Sequence, residues 1–251
     1  MRRFLASKSK KLRDRLSDRL LDFQPYIRPL ELEHCSIRFL YATAQAARWY
    51  DPLNEATRHE LDWLVSNIAP EGATIIDAGA YHGLYTTVLA LSAGPQGEVV
   101  AVDPVPSNQA VIEANLAING LSARIEGCAI SNIDGEVAFS RESCGRVVGR
   151  GGLRRPARRL RSIHPDATIV KLDIEGLEFE VVPAQLGELT EARVWIVEIH
   201  PRRGRDPELV IDAFRRRGFD LWWRQPARAT FEPYRGQSWT DRTTLVAIRS
   251  A

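Results

Sequence analysis

An acidic residue and two glycines follow an apolar segment near position 76, in a spacing that suits ligand binding. Asp77 comes directly after two isoleucines, and Gly79 and Gly83 follow it. Glycine lets the backbone approach a ligand where a Cβ atom would collide. Asp77 would repel the pyrophosphate of a dinucleotide, which also requires a GxGxxG turn. The D-x-G-x-x-x-G spacing therefore favours a cationic ligand without phosphate, although such glycines can also serve only to shape a turn.

A second acid, Asp103, stands at the end of the next apolar segment, which spans residues 99–102. A carboxylate in this position can accept hydrogen bonds from both hydroxyls of a ribose. A single acid at a strand end is usually a solvated turn, but two at successive strand ends with glycines between them indicate a site. A ligand with a cationic end and a ribose points to S-adenosylmethionine as the cofactor, with Asp77 facing its amino end.

Three further polar residues end two later apolar segments. Asp173 follows residues 169–172, and Glu198 and His200 end the segment that begins at position 194. Methyl transfer to a hydroxyl needs positioning and a base. We expect Asp173 or His200 to be the general base, with Glu198 orienting a partner. The alternative is a Mg²⁺-like cation bound by Asp173, Glu198 and His200, which would lower the pKa of the acceptor hydroxyl.

The elements that must position these residues alternate between strand and helix. Apolar strand patterns at residues 74–76, 98–102, 169–172 and 194–197 are separated by helical patterns. This alternation predicts a doubly wound α/β fold with a mostly parallel sheet, in which ligands lie at the carboxyl ends of the strands. The last two strand patterns, 219–223 and 244–248, are expected to form an antiparallel pair.

The N-terminal part has a different pattern. Leucines at near-helical spacing precede position 23, and a second helical pattern covers residues 54–68. We therefore expect a helical extension over residues 1–69 and a cofactor-binding domain over residues 70–251. Residues 145–161, rich in Gly and Arg, are expected to form a long loop.

Composition limits the function classes. The 251 residues are 44% hydrophobic and 26% charged, which is ordinary for a globular protein. No apolar run has the ~20 residues of a membrane span, and the N-terminus does not resemble a signal peptide. Three cysteines without a CxxC pair favour a reducing compartment, so we expect a cytoplasmic protein. The basic N-terminal helix suits a dimer contact, or a peripheral contact with anionic lipid.

Positive charge is concentrated in two segments. Residues 1–22 contain eight Lys or Arg and three Asp, and residues 141–161 contain eight Arg and one Glu. The second segment has no aromatic residue that could stack on a base, which argues against nucleic acid as a partner. An anionic acceptor, such as a phosphate- or carboxylate-bearing glycan or lipid-linked sugar, suits this charge better.

The motifs resemble those of the FkbM family of methyltransferases. The resemblance covers residues 70–200 and rests on Asp77-Ala78-Gly79-Ala80, Gly83-Leu84-Tyr85-Thr86, Asp103-Pro104-Val105-Pro106 with Asn108, Ala129-Ile130-Ser131, Lys171-Leu172-Asp173-Ile174-Glu175-Gly176-Leu177-Glu178 and Glu198-Ile199-His200. Tyr81 and His82 replace the family's usual Asn and its neighbour, and Asp103 replaces a Glu.

The resemblance implies a class I methyltransferase (Rossmann-like) fold with a seven-stranded sheet. It also implies O-methylation of a hydroxyl on a sugar, glycolipid or other natural product. The implied cofactor-binding residues are Asp77, Gly79, Ala80, Tyr81, Gly83, Tyr85, Thr86, Asp103, Pro104, Asn108, Ala129 and Asp173. Two alternatives stay open: an RNA or protein methyltransferase that uses the basic segment 141–161, and a non-catalytic member of the family.

Overall fold

A central mixed sheet organises the protein in a computed structural model that describes residues 23–68, 71–140, 145–149, 151–200, 205–224, 230–237 and 242–250. The strands are β1 (Tyr26–Glu31), β2 (Ser36–Tyr41), β3 (Thr74–Ala78), β4 (Glu98–Val102), β5 (Arg124–Glu126), β6 (Ala129–Ile130), β7 (Gly135–Phe139), β8 (Leu153–Arg158), β9 (Ile169–Leu172), β10 (Val194–Ile199), β11 (Asp220–Arg224), β12 (Phe231–Pro233) and β13 (Thr243–Ile248). The helices are α1 (Ala44–Tyr50), α2 (Glu55–Asn67), α3 (Leu84–Ala93), α4 (Pro106–Ile118), α5 (Leu160–Ile163), α6 (Glu178–Gln185) and α7 (Glu208–Arg215).

The central sheet has the strand order β12-β11-β13-β10-β9-β3-β4-β5. Strands β5, β4, β3, β9 and β10 are parallel, and β13 runs antiparallel to both β10 and β11. The predicted parallel sheet and final antiparallel pair are therefore confirmed. The predicted number of seven strands is wrong, because β12 adds an eighth strand at the edge. Its Pro233 is tolerated there, since an edge strand needs no outward N–H donor.

Both faces of the sheet are covered, which explains why its central strands are continuous apolar runs. On one face α6 and α7 pack against the sheet through residues such as Phe179, Val182 and Phe214. On the other face α3 and α4 pack through Leu89 and Ile112. This doubly wound arrangement leaves the ends of the strands as the place where polar side chains can meet.

The N-terminal segment is only partly helical, so the predicted helical extension is wrong over residues 26–41. Strands β1 and β2 form an antiparallel hairpin there, because Ile37, Phe39 and Tyr41 alternate with outward residues and bury one face. The side chains of Asn115 in α4 and of Asn119, which directly follows α4, accept hydrogen bonds from the backbone of β2. Helices α1 and α2 follow as helical segments, and the basic helix predicted for residues 1–22 lies outside the described residues.

The arginine-rich segment is also more ordered than expected. Residues Leu153–Arg158 form β8, which joins β6 and β7 in a three-stranded sheet, and α5 follows directly. The loop prediction is wrong here because the pattern alternates: Ala157 is buried while Arg154 and Arg158 point to solvent. Among the helices of the described residues, none is long and apolar enough to cross a membrane.

Candidate active site

A cavity of about 350 Å³ opens at the carboxyl ends of β3, β4, β9 and β10. This is the point where the strand order reverses, at which open α/β sheets bind ligands, and the volume suits a small molecule. Eight of the predicted site residues line the cavity: Gly79, Tyr81, Tyr85, Asp103, Pro104, Ala129, Asp173 and Glu198.

The turn between β3 and α3 depends on Gly79. Its φ of +81° is left-handed, and a Cβ atom added there would lie 1.9 Å from the carbonyl oxygen of Asp173. Glycine therefore allows the turn to lie directly against the end of β9, where the Asp173 amide N–H also donates to the Ala78 carbonyl at 2.9 Å. The ends of β3 and β9 are thus locked together beside the cavity.

Asp103 presents a buried carboxylate at the cavity wall. Only 5% of the residue is exposed, and its oxygens accept hydrogen bonds from the Tyr81 and Val105 amides at 3.0 and 2.9 Å and from Asn108 Nδ2 at 3.1 Å. Burial raises the pKa of Asp103 to about 7, although these donors lower it. The adjoining wall, formed by Val105, Ala129 and Ile130, is largely apolar. A fixed carboxylate beside an apolar wall fits the ribose and base of S-adenosylmethionine.

The raised pKa of Asp103 predicts that cofactor affinity depends on pH. An ionised carboxylate accepts hydrogen bonds from ribose hydroxyls better than a protonated one, so affinity should fall as pH decreases through about 7. Calorimetric titration with S-adenosylmethionine between pH 6 and 8.5 measures this slope. The variant Asp103→Asn should bind at least roughly tenfold more weakly at pH 8 and should show a flatter profile. An unchanged slope in the variant would assign the titration to another group.

Asp77 does not line the cavity, which corrects the expectation that it faces the cofactor's amino end. It is fully buried, and its Oδ2 accepts a hydrogen bond from Thr86 Oγ1 at 2.6 Å. Its Oδ1 lies 3.1 Å from Nζ of Lys171. Asp77 and Lys171 are register neighbours on β3 and β9, so their side chains meet on one face of the sheet. The acid is neutralised by this ion pair below the cavity floor.

Lys171 connects that ion pair to the cavity wall. Its Nζ lies 4.6 Å from the centre of the Tyr85 ring, a cation–π contact. Burial lowers the pKa of Lys171, but the carboxylates of Asp77 and Asp173 outweigh burial, so the net direction is upward. Lys171 is therefore a fixed buried cation close to Asp173.

Asp173 and Glu198 form a hydrogen-bonded pair at the wall. Burial raises the pKa of Asp173, but the ammonium of Lys171 and the hydrogen bond from Glu198 lower it below its usual value. Burial and the Asp173 carboxylate hold the pKa of Glu198 well above its usual range. The surrounding charges therefore favour ionisation of Asp173 over ionisation of Glu198. Arg242 Nε lies 2.6 Å from Glu198 Oε1.

His200 lies behind this pair and is bound to Glu178. The fully buried Glu178 carboxylate accepts hydrogen bonds from the Gly176 and His200 amides, both at 2.7 Å, and contacts His200 Nδ1 at 3.1 Å. Burial lowers the pKa of His200, but Glu178 outweighs burial and raises it to about 9. His200 Nε2 is 3.6 Å from Asp173 Oδ1. An imidazolium in this position supports a negative Asp173, and the geometry therefore favours Asp173 over His200 as the base.

The other predicted cofactor residues lie behind the wall. Ala80 N–H donates to the Val102 carbonyl at 3.2 Å, Asn108 holds Asp103, and Thr86 holds Asp77. Gly83 begins α3 with a φ of +79° and packs against Ile112. These residues shape the site from below and do not contact the cavity.

Residues outside the motifs complete the wall, and sequence reasoning missed them. Arg48, Trp49, Tyr50 and Glu60 come from the N-terminal segment, and Arg224 and Arg242 come from the end of the chain. The only sequence signal was the grouping of arginine and aromatic side chains at residues 48–50.

Glu60 connects these distant segments. It is 5% exposed and accepts hydrogen bonds from Tyr85 Oη and Thr244 Oγ1, both at 2.8 Å, while Arg224 Nε lies at 2.9 Å. It thereby joins α2, α3 and the antiparallel strands β11 and β13 beneath the cavity.

Replacing Glu60 by alanine should lower the free energy of unfolding by about 3–5 kcal/mol, because the buried Thr244 hydroxyl, the partly buried Tyr85 hydroxyl and the partly buried Arg224 guanidinium lose their partner. Urea denaturation measures the change. The exposed Glu113 on α4 supplies the control: Glu113→Ala should change stability by no more than ~0.5 kcal/mol. Equal effects of the two substitutions would show that the Glu60 contacts contribute little.

Comparison with solved structures shows a shared fold. An S-adenosylmethionine-dependent methyltransferase from Agrobacterium tumefaciens superposes with a TM-score of 0.54 at 14% identity, covering 92% of this chain and 72% of that chain. TYW2 of M. jannaschii in complex with AdoMet gives a TM-score of 0.50 at 13% identity, covering 92% and 90%. An FkbM methyltransferase from Methylobacillus flagellatus gives 0.48 at 16% identity, covering 71% of this chain and 44% of that chain, so this chain spans less than half of its length.

The sequence itself matches a family over most of the site. No curated protein matches the chain. The model of the methyltransferase FkbM domain, however, matches residues 77–221, more than half of the sequence, including Asp77, Asp103, Asp173 and His200. The match begins at the end of β3 and extends into β11. The chain therefore belongs to the methyltransferase FkbM family.

Proposed function

We propose that the enzyme methylates a hydroxyl group of a sugar, glycolipid or other natural product, with Asp173 as the general base. The observation behind this proposal is the place of Asp173 on the cavity wall, close to the Lys171 ammonium and hydrogen-bonded to Glu198, which together lower its pKa. Alcohols are weak nucleophiles whose proton must be accepted during transfer, which is the task of a positioned carboxylate.

The residues present fit the cofactor. The Asp103 carboxylate would accept hydrogen bonds from the ribose, and the wall around Ala129 and Ile130 would contact the adenine base. Gly79 and Tyr81 would lie along the rest of the cofactor. When bound, S-adenosylmethionine supplies a methyl group activated by its sulfonium charge. This placement leaves the Asp173 end of the cavity for the acceptor.

Asp173 needs little basicity to act as the general base. A hydroxyl becomes strongly acidic as its oxygen forms the new bond, so a carboxylate with a low pKa can accept the proton. Glu198, whose pKa is raised, would orient Asp173 through the hydrogen bond between them. His200 and Lys171 stabilise the negative Asp173 before transfer. The charges of the site are thus arranged before the acceptor arrives.

The residues of the metal alternative fit a cation poorly. One ligand atom from each of Asp173, Glu198 and His200 lies within 4.8 Å of the others. However, Arg242 contacts Glu198, Lys171 lies close to Asp173, and the pKa of His200 is raised to about 9, so three cationic side chains already face this cluster. A further positive charge would be repelled.

We therefore expect turnover without a divalent cation. Dialysis of the enzyme against EDTA should leave the initial rate within about twofold of that with millimolar Mg²⁺, whereas catalytic metal sites supply several kcal/mol. The rate of transfer of the labelled methyl group is the measurement. A rate that collapses on chelation and returns with Mg²⁺ would restore the metal mechanism.

The basic surface gives less support to an RNA or protein acceptor. Arg154 pairs with Glu136 at 3.0 Å, and Arg159 pairs with Glu188, so part of the charge of segment 141–161 is compensated within the protein. A polyanion-binding enzyme should instead lose affinity steeply with added salt.

The test uses the full chain, labelled S-adenosylmethionine and extracts from a strain that lacks the gene. Glycan, lipid, RNA and protein fractions serve as acceptors, and mass spectrometry locates the methyl group. We expect a methyl ether on a molecule of the glycan or lipid fraction. Label on RNA or protein, or on nitrogen, would overturn it. Tight cofactor binding without transfer to any fraction would identify a non-catalytic member.

A further inference from the structure

We propose that the acceptor bears an oxyanion, either a carboxylate or a phosphate, on the same sugar as the methylated hydroxyl, and that Arg224 and Arg242 bind this group. The inference rests on the proposed function, whose acceptor it specifies. It places anion recognition at the C-terminal strands and away from the arginine-rich segment 141–161.

The strand register brings these two arginines together. Strands β11 and β13 pair Trp223 with Leu245, so Arg224 lies beside Thr244, and Thr243 Oγ1 donates to the Arg224 carbonyl at 2.7 Å. Arg242 directly precedes β13. Both arginines line the cavity, and Arg242 lies beside Glu198 there.

Each guanidinium has its Nε atom within ion-pair distance of a carboxylate oxygen of the site. Arg224 Nε lies 2.9 Å from Glu60 Oε2, and Arg242 Nε lies 2.6 Å from Glu198 Oε1. Within the described part of the chain, the Nη atoms of these two arginines make no hydrogen bond. A guanidinium offers five N–H donors in a planar fork, which matches carboxylate and phosphate geometry.

The carboxylates beside the arginines are already engaged. Glu60 accepts hydrogen bonds from Tyr85 Oη and Thr244 Oγ1 in addition to its contact with Arg224, and Glu198 is hydrogen-bonded to Asp173. They fix the guanidinium groups in position, which reduces the entropy lost when an anion binds.

An aromatic surface in the same cavity suits a sugar ring. Trp49 is 41% exposed, lines the cavity, and lies 5.3 Å from the Tyr81 ring, measured between ring centres. Flat aromatic faces pack against apolar surfaces and leave polar edges free. Trp49, Arg224 and Arg242 all lie outside the family match at residues 77–221, so these contacts belong to the flanking segments of this chain.

The test compares charged and neutral sugars in calorimetric titrations of the full chain saturated with S-adenosylhomocysteine. The probes are methyl glucuronide, glucose 6-phosphate and methyl glucoside. We expect at least one charged sugar to bind roughly ten- to a hundredfold tighter than the glucoside. Tighter binding of the glucuronide would indicate a carboxylate on the acceptor, and tighter binding of glucose 6-phosphate would indicate a phosphate. In Arg242→Gln this preference should fall to about one. The exposed Arg161 of α5 gives the control Arg161→Gln, which should keep the preference.

Three outcomes would overturn the inference. The first is equal binding of charged and neutral sugars, or no binding of the charged ones at millimolar concentration. The second is a preference that persists in Arg242→Gln. The third is a loss of S-adenosylhomocysteine affinity in Arg242→Gln as large as the loss of sugar affinity, which would assign the guanidinium to the cofactor's carboxylate. In each case, methyl transfer to a hydroxyl of an uncharged acceptor would still support the proposed function.

Discussion

Replacing Asp173 by asparagine is expected to lower kcat about 10²–10⁴-fold, the usual contribution of a general base. Asparagine keeps the size of the side chain and its place against Glu198, but it cannot accept the hydroxyl proton. Because we propose that Asp173 faces the acceptor, the Kd of S-adenosylmethionine should change by no more than about threefold, less than a charge-assisted hydrogen bond would give. The loss of kcat therefore reflects a slower methyl-transfer step.

Single-turnover rates of labelled methyl transfer and calorimetric titration with S-adenosylmethionine separate the two effects. Asp166, an exposed residue that precedes β9, supplies the control Asp166→Asn, which should retain both parameters. Should Asp173→Asn turn over at the normal rate, another group accepts the proton. Should it lose cofactor affinity and rate together, Asp173 holds the cofactor.

Replacing Gly79 by alanine is expected to remove cofactor binding and to destabilise the fold. The added Cβ would lie 1.9 Å from the Asp173 carbonyl oxygen, and the φ of +81° is strained for any L-residue with a side chain. Left-handed strain costs about 1–3 kcal/mol and overpacking about 1–3 kcal/mol more. The turn must move away from β9, which displaces the wall that Gly79 and Asp173 share.

Gly120→Ala is the matched control for Gly79→Ala. Its φ is +66°, but a Cβ atom there would meet nothing within 4 Å, so it isolates backbone strain from the clash. Urea denaturation should show a loss of about 1 kcal/mol for Gly120→Ala and a clearly larger loss for Gly79→Ala. Only the latter should weaken S-adenosylmethionine binding by more than roughly tenfold. Equal losses would show that β9 relaxes around the new methyl group.

The sequence predicted the parts of the site that belong to single strand ends. Asp103 and Asp173 line the cavity because each follows an apolar run, and parallel strands end at one edge of the sheet. The pairing of Asp77 with Lys171 could not be seen, since it depends on the register between β3 and β9. Asp77, which the sequence predicts to face a cationic ligand, is instead paired with Lys171.

Contributions from distant segments were beyond sequence reasoning for a similar reason. Glu60 and Arg224 are far apart in the chain and meet only because α2 packs beside the end of β11. The hairpin β1–β2 was missed because its alternation is short and follows a helical pattern. Strand β12 was missed because three residues that include a proline give no strand signal. Local pattern predicted the elements, whereas their mutual packing decided which side chains reach the cavity.

A crystal structure of the full chain with S-adenosylhomocysteine would test the proposed site directly. We expect the ribose hydroxyls to bind the Asp103 carboxylate, the adenine base to lie along Ala129 and Ile130, and the sulfur to face the space in front of Asp173. A ligand bound elsewhere, or a sulfur turned away from Asp173 with that carboxylate outside the cavity, would contradict it.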